Sequence, residues 1–403
     1  MDVFVARQPI FDRRRDLFGY ELLFRQDLDS AFSTRSGDRA TSTVLTNSFL
    51  LIGMEKLTSG RRAFINFTRN LLLADIATAF PRDQVVVELL ESVTPDVEVL
   101  YACRRLKDAG YLLALDDFVY HPQFDSLLDL VDIIKVDFLA TNEAEREQIV
   151  RRSRSRFVRF LAEKVETQSD YEMAMDLGYS YIQGYFFSRP ETVQGRDIPG
   201  YKLNYMNTLY EINQPNIDID TLEQIIRRDT SLSFKLLRLI NSAFFGLSHK
   251  IKSIRHALVL LGHDELRKWG SLLALTGIGE DKANELAVLS AVRAHFCELV
   301  AGKVGLQTEC TDIYLMGLFS LVDAFMDLPM EQILHELPIV DDAKDALLGR
   351  PSRYAPVYQL VLAYESADWC RFDALADQMG LPREQAPKYY RQALQAADQI
   401  FYR

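Results

Sequence analysis

Short apolar runs alternate with amphipathic stretches through the first half of the chain. In order, the runs are VFVARQPI, GYELLF, AFINF, VVVELL, LLALDD, DIIKVD, FLAEKV and SYIQGY. Brief stretches rich in β-branched, aliphatic and aromatic residues read as buried strands. The segments between them carry helix ends. In TPDVEVLYACRRLKDAG, Thr94 can cap, Pro95 suits a first turn and Gly110 can close the helix. Repeated strand–helix units predict a largely parallel sheet, and about eight strands predict a closed β/α barrel of the TIM type. The first pair breaks the rule. Only a short polar turn around Asp12–Asp16 separates VARQPIF from LFGYELL, too little chain for a crossover helix, so one strand is expected to run antiparallel.

The rhythm changes after SRPETVQGRDIPGYK, Ser188–Lys202, a stretch rich in proline, glycine and polar residues. YKLNYMNTLYEIN reads as a helix, Asp220–Glu223 as a capping box opening TLEQIIRR, and Asp229 or Ser231 as a cap for SFKLLRLINSAFF. Amphipathic helices continue to Arg403. The expected organisation is therefore α/β followed by all-α: a barrel over residues 1–195 and a helical bundle over 196–403, without internal repeats.

Composition supports two packed cores, with 48% hydrophobic and 26% charged residues in 403. A net charge of −11 and a pI near 5.2 argue against a nucleic-acid or anionic-membrane partner. The basic run Arg151–Arg159 reads as a solvated helix face ahead of a strand. Cys103, Cys297, Cys310 and Cys370 are scattered without metal or disulfide spacing, which suits reduced thiols. Neither a signal peptide nor a spanning apolar run of about 18 residues is found. The expectation is a soluble cytoplasmic protein.

Candidate chemistry collects at the ends of the predicted strands, where β/α barrels place their active sites. Glu21, Asn66, Glu88, Asp116 with Asp117, Lys135, Glu163 and Gln183 all sit there. Crowded carboxylates repel one another and call for a cation, and oxygen donors of this kind suit Mg²⁺ or Mn²⁺. Two such ions could activate water for in-line attack on a phosphodiester, with Lys135 offsetting transition-state charge. A barrel mouth merely capped by solvated polar residues would show the same pattern, and the pattern leaves both readings open.

Glu21-Leu22-Leu23-Phe24-Arg25 resembles the E-A-L-x-R signature of EAL-domain cyclic-di-GMP phosphodiesterases. QPI at Gln8–Ile10, FINF around Asn66, VELLES at Val87–Ser92, LDDF at Leu115–Phe118, IKVD at Ile134–Asp137, AEKVET at Ala162–Thr167 and QGYFFSRP at Gln183–Pro190 follow in the family's order. The resemblance implies metal ligation by Glu21, Asn66, Glu88, Asp116 and Asp117. It implies action on the attacking water and phosphate by Lys135 and Glu163, and a site role near the metals for Gln183. Gln8 and Arg25 match nucleotide-side contacts, and Glu91 matches a carboxylate that steadies the loop after the paired aspartates.

That loop departs from the family's glycine-containing D-F-G-x-G-Y-S-S type. Val119, Tyr120, His121 and Pro122 follow Phe118, and no glycine occurs between Gly110 and Gly178. Glycine permits positive φ values that valine and tyrosine resist, and Pro122 restricts itself and His121. Lys164 also stands where the family usually has glycine. These departures lower the expected turnover.

In the second half, INSAFFGLSHKIKSIRHALVLLG, Ile240–Gly262, resembles the HDOD signature. HDOD domains are helical relatives of HD phosphohydrolases that lack the metal-binding residues. The literal pair His263-Asp264 reads as a helix start, with Asp264 a cap or first-turn carboxylate. Ser320 and Leu321, in GLFSLVDAF, stand where a catalytic His-Asp pair would be expected, and His295 reads as a helix-face residue. No metal is expected in this half, and protein interaction is its implied role. The joint resemblance implies a bacterial signalling regulator that binds cyclic di-GMP, with a barrel of low or no hydrolytic activity. The alternatives are an active phosphodiesterase yielding linear pGpG and an interaction scaffold with an empty barrel. The resemblance also allows a homodimer.

Overall fold

The structure, a computed structural model, describes residues 4–25, 54–153, 157–184, 200–214, 216–228, 230–241, 251 and 253–402. The chain divides into two compact units, residues 3–186 and 187–403. The expected boundary at 195/196 lies outside the described residues, as do Asp229 and most of the QGYFFSRP and INSAFFGLSHK motifs.

All eight apolar runs form strands of one closed barrel: β1 Val5–Asp12, β2 Leu17–Phe24, β3 Arg62–Phe67, β4 Val85–Leu89, β5 Leu112–Leu115, β6 Ile133–Asp137, β7 Arg159–Glu163 and β8 Tyr181–Gln183. β1 runs antiparallel to both β2 and β8, and the other neighbours pair parallel. The hairpin is closed locally: the Asp12 carboxylate accepts from the backbone N–H groups of Arg14 and Asp16 at 2.7 and 3.0 Å. Such aspartate turns leave no room for a crossover.

Alternation along the strands builds the barrel interior in layers. Ile10, Phe64, Val86, Ala114, Ile133, Leu161 and Tyr181 form one buried apolar layer, with the ring of Phe18 stacked on Tyr181 at 4.2 Å. Two residues further along, on the same face of their strands, stand Gln8, Asn66, Glu88, Asp116, Lys135, Glu163 and Gln183. Gln8 fits because β1 runs in reverse and pairs it with Glu21. The polar layer is therefore dictated by period two. Every strand that fills the floor with an apolar group lifts a polar one to the C-terminal mouth. Gly184 follows at φ 146°, where a Cβ would come within 2.2 Å of the Val165 carbonyl, so β8 can close on β7 only with glycine there.

Helix caps differ in detail from the expectation. The helix Val97–Asp108 is capped by Asp96, not Thr94: its carboxylate accepts from the Val99 N–H at 2.9 Å and also binds Arg69. An ionised carboxylate is the stronger acceptor at an exposed helix start. Asp218, not Asp220, takes the cap of Ile219–Arg228, and Asp220 pairs with Arg255 instead.

The second unit is helical throughout its described residues. Its central helix, Asn284–Ala301, packs against Cys310–Leu318 and Ala386–Phe401. At Gly317 a Cβ would lie 2.7 Å from the Arg293 carbonyl, so glycine sets how closely two of these helices approach. Tyr205 and Trp269 belong to the core, whereas Tyr210 is exposed. No single helix among the described residues is long and apolar enough to cross a membrane.

Candidate functional site: an acid ring closed on one lysine

The centre of the polar layer is Lys135. Its ammonium lies 2.7 Å from Asp116, 2.7 Å from Glu163, 2.9 Å from Glu88 and 3.4 Å from Glu21, and the side chain is fully buried. These four carboxylates come from β2, β4, β7 and the residue just past β5. Glu21 is held further by Gln183, whose amide donates to it at 2.6 Å and to Gln8 at 3.0 Å. Asn66 donates to the other Glu21 oxygen at 3.4 Å. The structure thus gathers Gln8, Glu21, Asn66, Glu88, Asp116, Lys135, Glu163 and Gln183 in one place.

Asp117 lies at the outer edge. It takes a left-handed φ of 40°, which aspartate tolerates better than most residues. One oxygen each from Asp116, Asp117 and Glu163 lie within 4.8 Å of one another. Lys164, also left-handed at φ 53°, bonds through its ammonium to Asp137, whose other oxygen accepts from the Leu139 and Ala140 N–H groups. Asp137 was not among the site residues expected from sequence, and Lys164 was expected only as a departure beside Glu163. Asp137 is two residues beyond Lys135 on the same strand, so carrying the alternation one step further would have found it.

Protonation follows from crowding. Burial pushes the Glu88 carboxyl well above its usual range; Lys135 pulls it back, and Glu21 and Asp116 push it up again. Burial likewise raises Glu163, to about 8, against the pull of Lys135. Burial alone would lower the Lys135 ammonium, but Glu163, Glu21, Glu88 and Asp116 together drive it well above the normal lysine value. Asp117 is raised by burial and by Asp116, with Lys164 opposing. Asp137 runs the other way. Against the cost of burial, the Lys164 bond and two backbone N–H groups hold its carboxyl below the ordinary range.

The donor set fits a divalent cation. Four carboxylates, Glu21, Glu88, Asp116 and Glu163, surround one central ammonium, and Asp117 joins Asp116 and Glu163 at the edge. Glu88 Oε2, Asn66 Oδ1 and Gln183 Oε1 are buried without a hydrogen-bond partner. Glu88 Oε1 sits in ion-pair range of Lys135 yet is not aligned as a hydrogen-bond acceptor. Buried oxygens left unsatisfied are costly, and a hard cation is what oxygen donors of this charge accept. Asp116, Asp117 and Glu163 are placed to hold one, with Glu21, Asn66 and Glu88 in the adjoining wall.

The loop after Asp117 is ordered by its own side chains. The Phe118 N–H donates to the Lys135 carbonyl, and the Phe118 ring meets Phe124 edge-on at 5.8 Å. The Arg152 guanidinium covers the Tyr120 ring at 4.3 Å. His121 is exposed and accepts the Gln123 N–H at the start of the short turn Pro122–Phe124. Residues 118–122 all keep negative φ, so the loop makes its left-handed turn on Asp117 and asks nothing of Val119 or Tyr120 that glycine alone could supply. Glu91 is exposed, and among the described residues no hydrogen bond or ion pair joins it to this loop. Arg25 closes β2 with its guanidinium over the Phe4 ring at 4.9 Å.

In the helical unit, Ser320 is buried and donates to the Gly317 carbonyl at 2.7 Å while accepting from Arg293 at 3.3 Å. Arg293 pairs with buried Glu365 at 2.8 Å. His295 lies between Trp269 and Tyr314, 3.7 Å from Glu298. His263 and Asp264 are exposed just after a break at Gly262, which places Asp264 in a first helical turn.

A β/α barrel with one reversed strand and an acid ring at its mouth, followed by a helical unit, defines a two-domain class. The EAL domain family matches residues 49–190 and the HDOD domain family residues 199–328. YuxH of Bacillus subtilis, an uncharacterized protein, is 39% identical over 98% of this chain and 98% of its own. CdgJ of Vibrio cholerae, a cyclic di-GMP phosphodiesterase, is 38% identical over 91% of this chain and 85% of its own. A solved structure of the PaMucR phosphodiesterase in complex with c-di-GMP aligns with 50% of this chain and 100% of its own, at a TM-score of 0.40 and 21% identity. The chain belongs to the family that joins an EAL domain to an HDOD domain.

Proposed function

We propose that the barrel is a divalent-metal-dependent phosphodiesterase of cyclic-di-GMP signalling, cleaving cyclic di-GMP to linear pGpG, and that the helical unit engages a protein partner. The observation that carries this reading is the acid ring: four carboxylates converge on one buried lysine, Asp117 adds a fifth at the edge, and buried oxygens are left unsatisfied. The activity of CdgJ, similar along most of its length, supports the same reading. Bound by Asp116, Asp117 and Glu163, Mg²⁺ or Mn²⁺ would supply charge neutralisation and activation of water.

The chain's own residues have distinct parts. Glu163, with its carboxyl raised to about 8, is suited to hold or take up a proton near neutral pH. Lys135 is fully buried beneath its carboxylates, so it serves as a positioning residue that fixes Glu21, Glu88, Asp116 and Glu163 rather than as a direct phosphate contact. Gln183 and Gln8 brace Glu21 from the β1–β8 side. A second reading retains nucleotide binding but loses most turnover. It is favoured by the glycine-free loop, whose Tyr120 is clamped by Arg152.

One assay separates the readings. The full-length chain is incubated with cyclic di-GMP and Mn²⁺ or Mg²⁺, and linear product is followed. Product that vanishes in Asp116→Asn supports the enzyme. Saturable binding without product supports the sensor, and neither binding nor product removes both.

A further inference from the structure

Lys164 combines three features that set it apart from the other exposed lysines. It occupies a left-handed φ of 53°, a conformation that costs a non-glycine residue roughly 1 kcal/mol or more. Its ammonium is bonded to Asp137. It directly follows Glu163, which shares a three-carboxylate cluster with Asp117, and the charge of Lys164 acts on Asp117. Lys135 contacts Glu21, Glu88, Asp116 and Glu163 but has no ion pair with Asp117. The inner part of the ring therefore has its own paired cation, and at Asp117 the charge of Lys164 outweighs that of the more distant Lys135.

We infer that Lys164 is a positioning residue that acts as a tethered cation at the outer edge of the ring, lowering the affinity of Asp117 and its neighbours for a divalent ion. The inference rests on the metal-site reading given above. A fixed positive charge reduces the negative potential that draws a second cation into the same cluster. Asp137 holds the ammonium in place: two backbone N–H groups fix one of its oxygens, and the other meets Lys164. The side chain remains half-exposed, so the lysine can swing away towards solvent. The site would then fill only at high metal concentration or when substrate adds its own negative charge.

The test is calorimetric titration of the purified full-length chain with Mn²⁺, in four forms: wild type, Lys164→Met, Lys164→Gly and Lys164→Arg. Methionine removes the charge and keeps a side chain at the strained position. Glycine removes both charge and strain. Arginine keeps the charge. Binding on the order of tenfold tighter in the Met and Gly forms, with Arg near wild type, is the expected result. Mn²⁺ binding by Lys164→Met where wild type shows none would support it further. Equal affinity in wild type and Lys164→Met overturns this inference alone. Absence of Mn²⁺ binding in all four forms overturns the metal-site reading and takes this inference with it. The Mn²⁺-dependent rise in melting temperature, measured on the same proteins, must follow the same order.

Discussion

Both units bury charge, and they do it in opposite ways. In the barrel, four carboxylates crowd around Lys135 with Asp117 beside them, and Glu88, Asn66 and Gln183 each leave an oxygen without a partner. In the helical unit, Arg293 meets Glu365 at 2.8 Å and Ser320 at 3.3 Å, and Ser320 closes on a carbonyl of its own turn. The first arrangement carries an excess of negative charge. The second is close to neutral: Glu365 Oε1 is also buried without a partner and burial raises its carboxyl against the pull of Arg293, but one anion faces one cation. Among the described residues, the one cluster of three potential ligand atoms lies in the barrel. Buried charge does not by itself mark a functional site. Imbalance does, because an unneutralised cluster costs stability unless a ligand completes it.

Removing the central cation from each unit tests this contrast most severely. Arg293→Met leaves Glu365 buried and unpaired, which is expected to cost about 3–5 kcal/mol. Mn²⁺ should not restore that loss, whereas the double change Arg293→Met, Glu365→Leu should recover most of it. Lys135→Met should cost a comparable amount at neutral pH. Here the loss should shrink when Mn²⁺ is added, or when the pH falls and the carboxyls protonate. Melting curves with and without metal measure both. If Mn²⁺ rescues Arg293→Met as well as Lys135→Met, the distinction between the two clusters fails.

Chemistry gives the next effect. Asp116→Asn removes a carboxylate that touches Lys135 and faces Asp117, and hydrolysis of cyclic di-GMP should fall at least about a hundredfold. Stripping metal with a chelator should lower the melting temperature of wild type and leave that of Asp116→Asn nearly unchanged. A chelator shift of equal size in both would remove Asp116 from the ligand set.

The pH dependence is smaller and its sign is fixed. Glu163 is raised to about 8 in the folded chain, so between the ordinary glutamate range and pH 8 the folded state holds a proton that the unfolded state has lost. Through Glu163, stability of the metal-free protein should therefore decline as pH rises across that window. Glu163→Gln should flatten the decline. Divalent binding should tighten over the same range, because the ion displaces that proton. A metal-free melting temperature that rises from pH 6 to 8 through a Glu163-dependent step would contradict the burial of this carboxyl.

Much of this was legible in the residues. The eight apolar runs became eight strands because each is a short apolar stretch that can line a barrel wall, β-branched and aromatic in most and leucine-rich in β5. The reversed β1 followed from a turn too short for a helix. The polar layer was legible because alternation of period two converts strand position into layer. Asp137 lies one alternation step past Lys135 on β6, at the strand's end, where nothing local distinguishes a site residue from a turn residue. The caps were misassigned because Asp96 and Asp218 compete with Thr94 and Asp220 in the same few positions, and only the fold shows which carboxylate faces the free N–H groups. The supporting role matched to Glu91 came from resemblance alone, and its side chain stands exposed without a bond to the loop among the described residues. Longer-range pairings such as Arg293 with Glu365 leave no local trace, since 72 positions separate the partners.

The smallest effect concerns the loop, where sequence and structure pull apart. Loss of glycine was expected to strain residues 118–122, yet all of them keep negative φ and the left-handed turn falls on Asp117. The structure contains no strain there for glycine to relieve. Val119 is 72% exposed and contributes little to the core. Val119→Gly should therefore lower stability by only about 0.5–1 kcal/mol, through the greater freedom of the unfolded chain. Turnover then decides between the two readings of the barrel. If stiffness of the loop limits the reaction, kcat should rise severalfold in Val119→Gly, and further when Arg152→Ala releases Tyr120. If the loop is simply built another way, kcat should stay within about twofold of wild type while stability falls as stated, and the acid ring alone sets the rate.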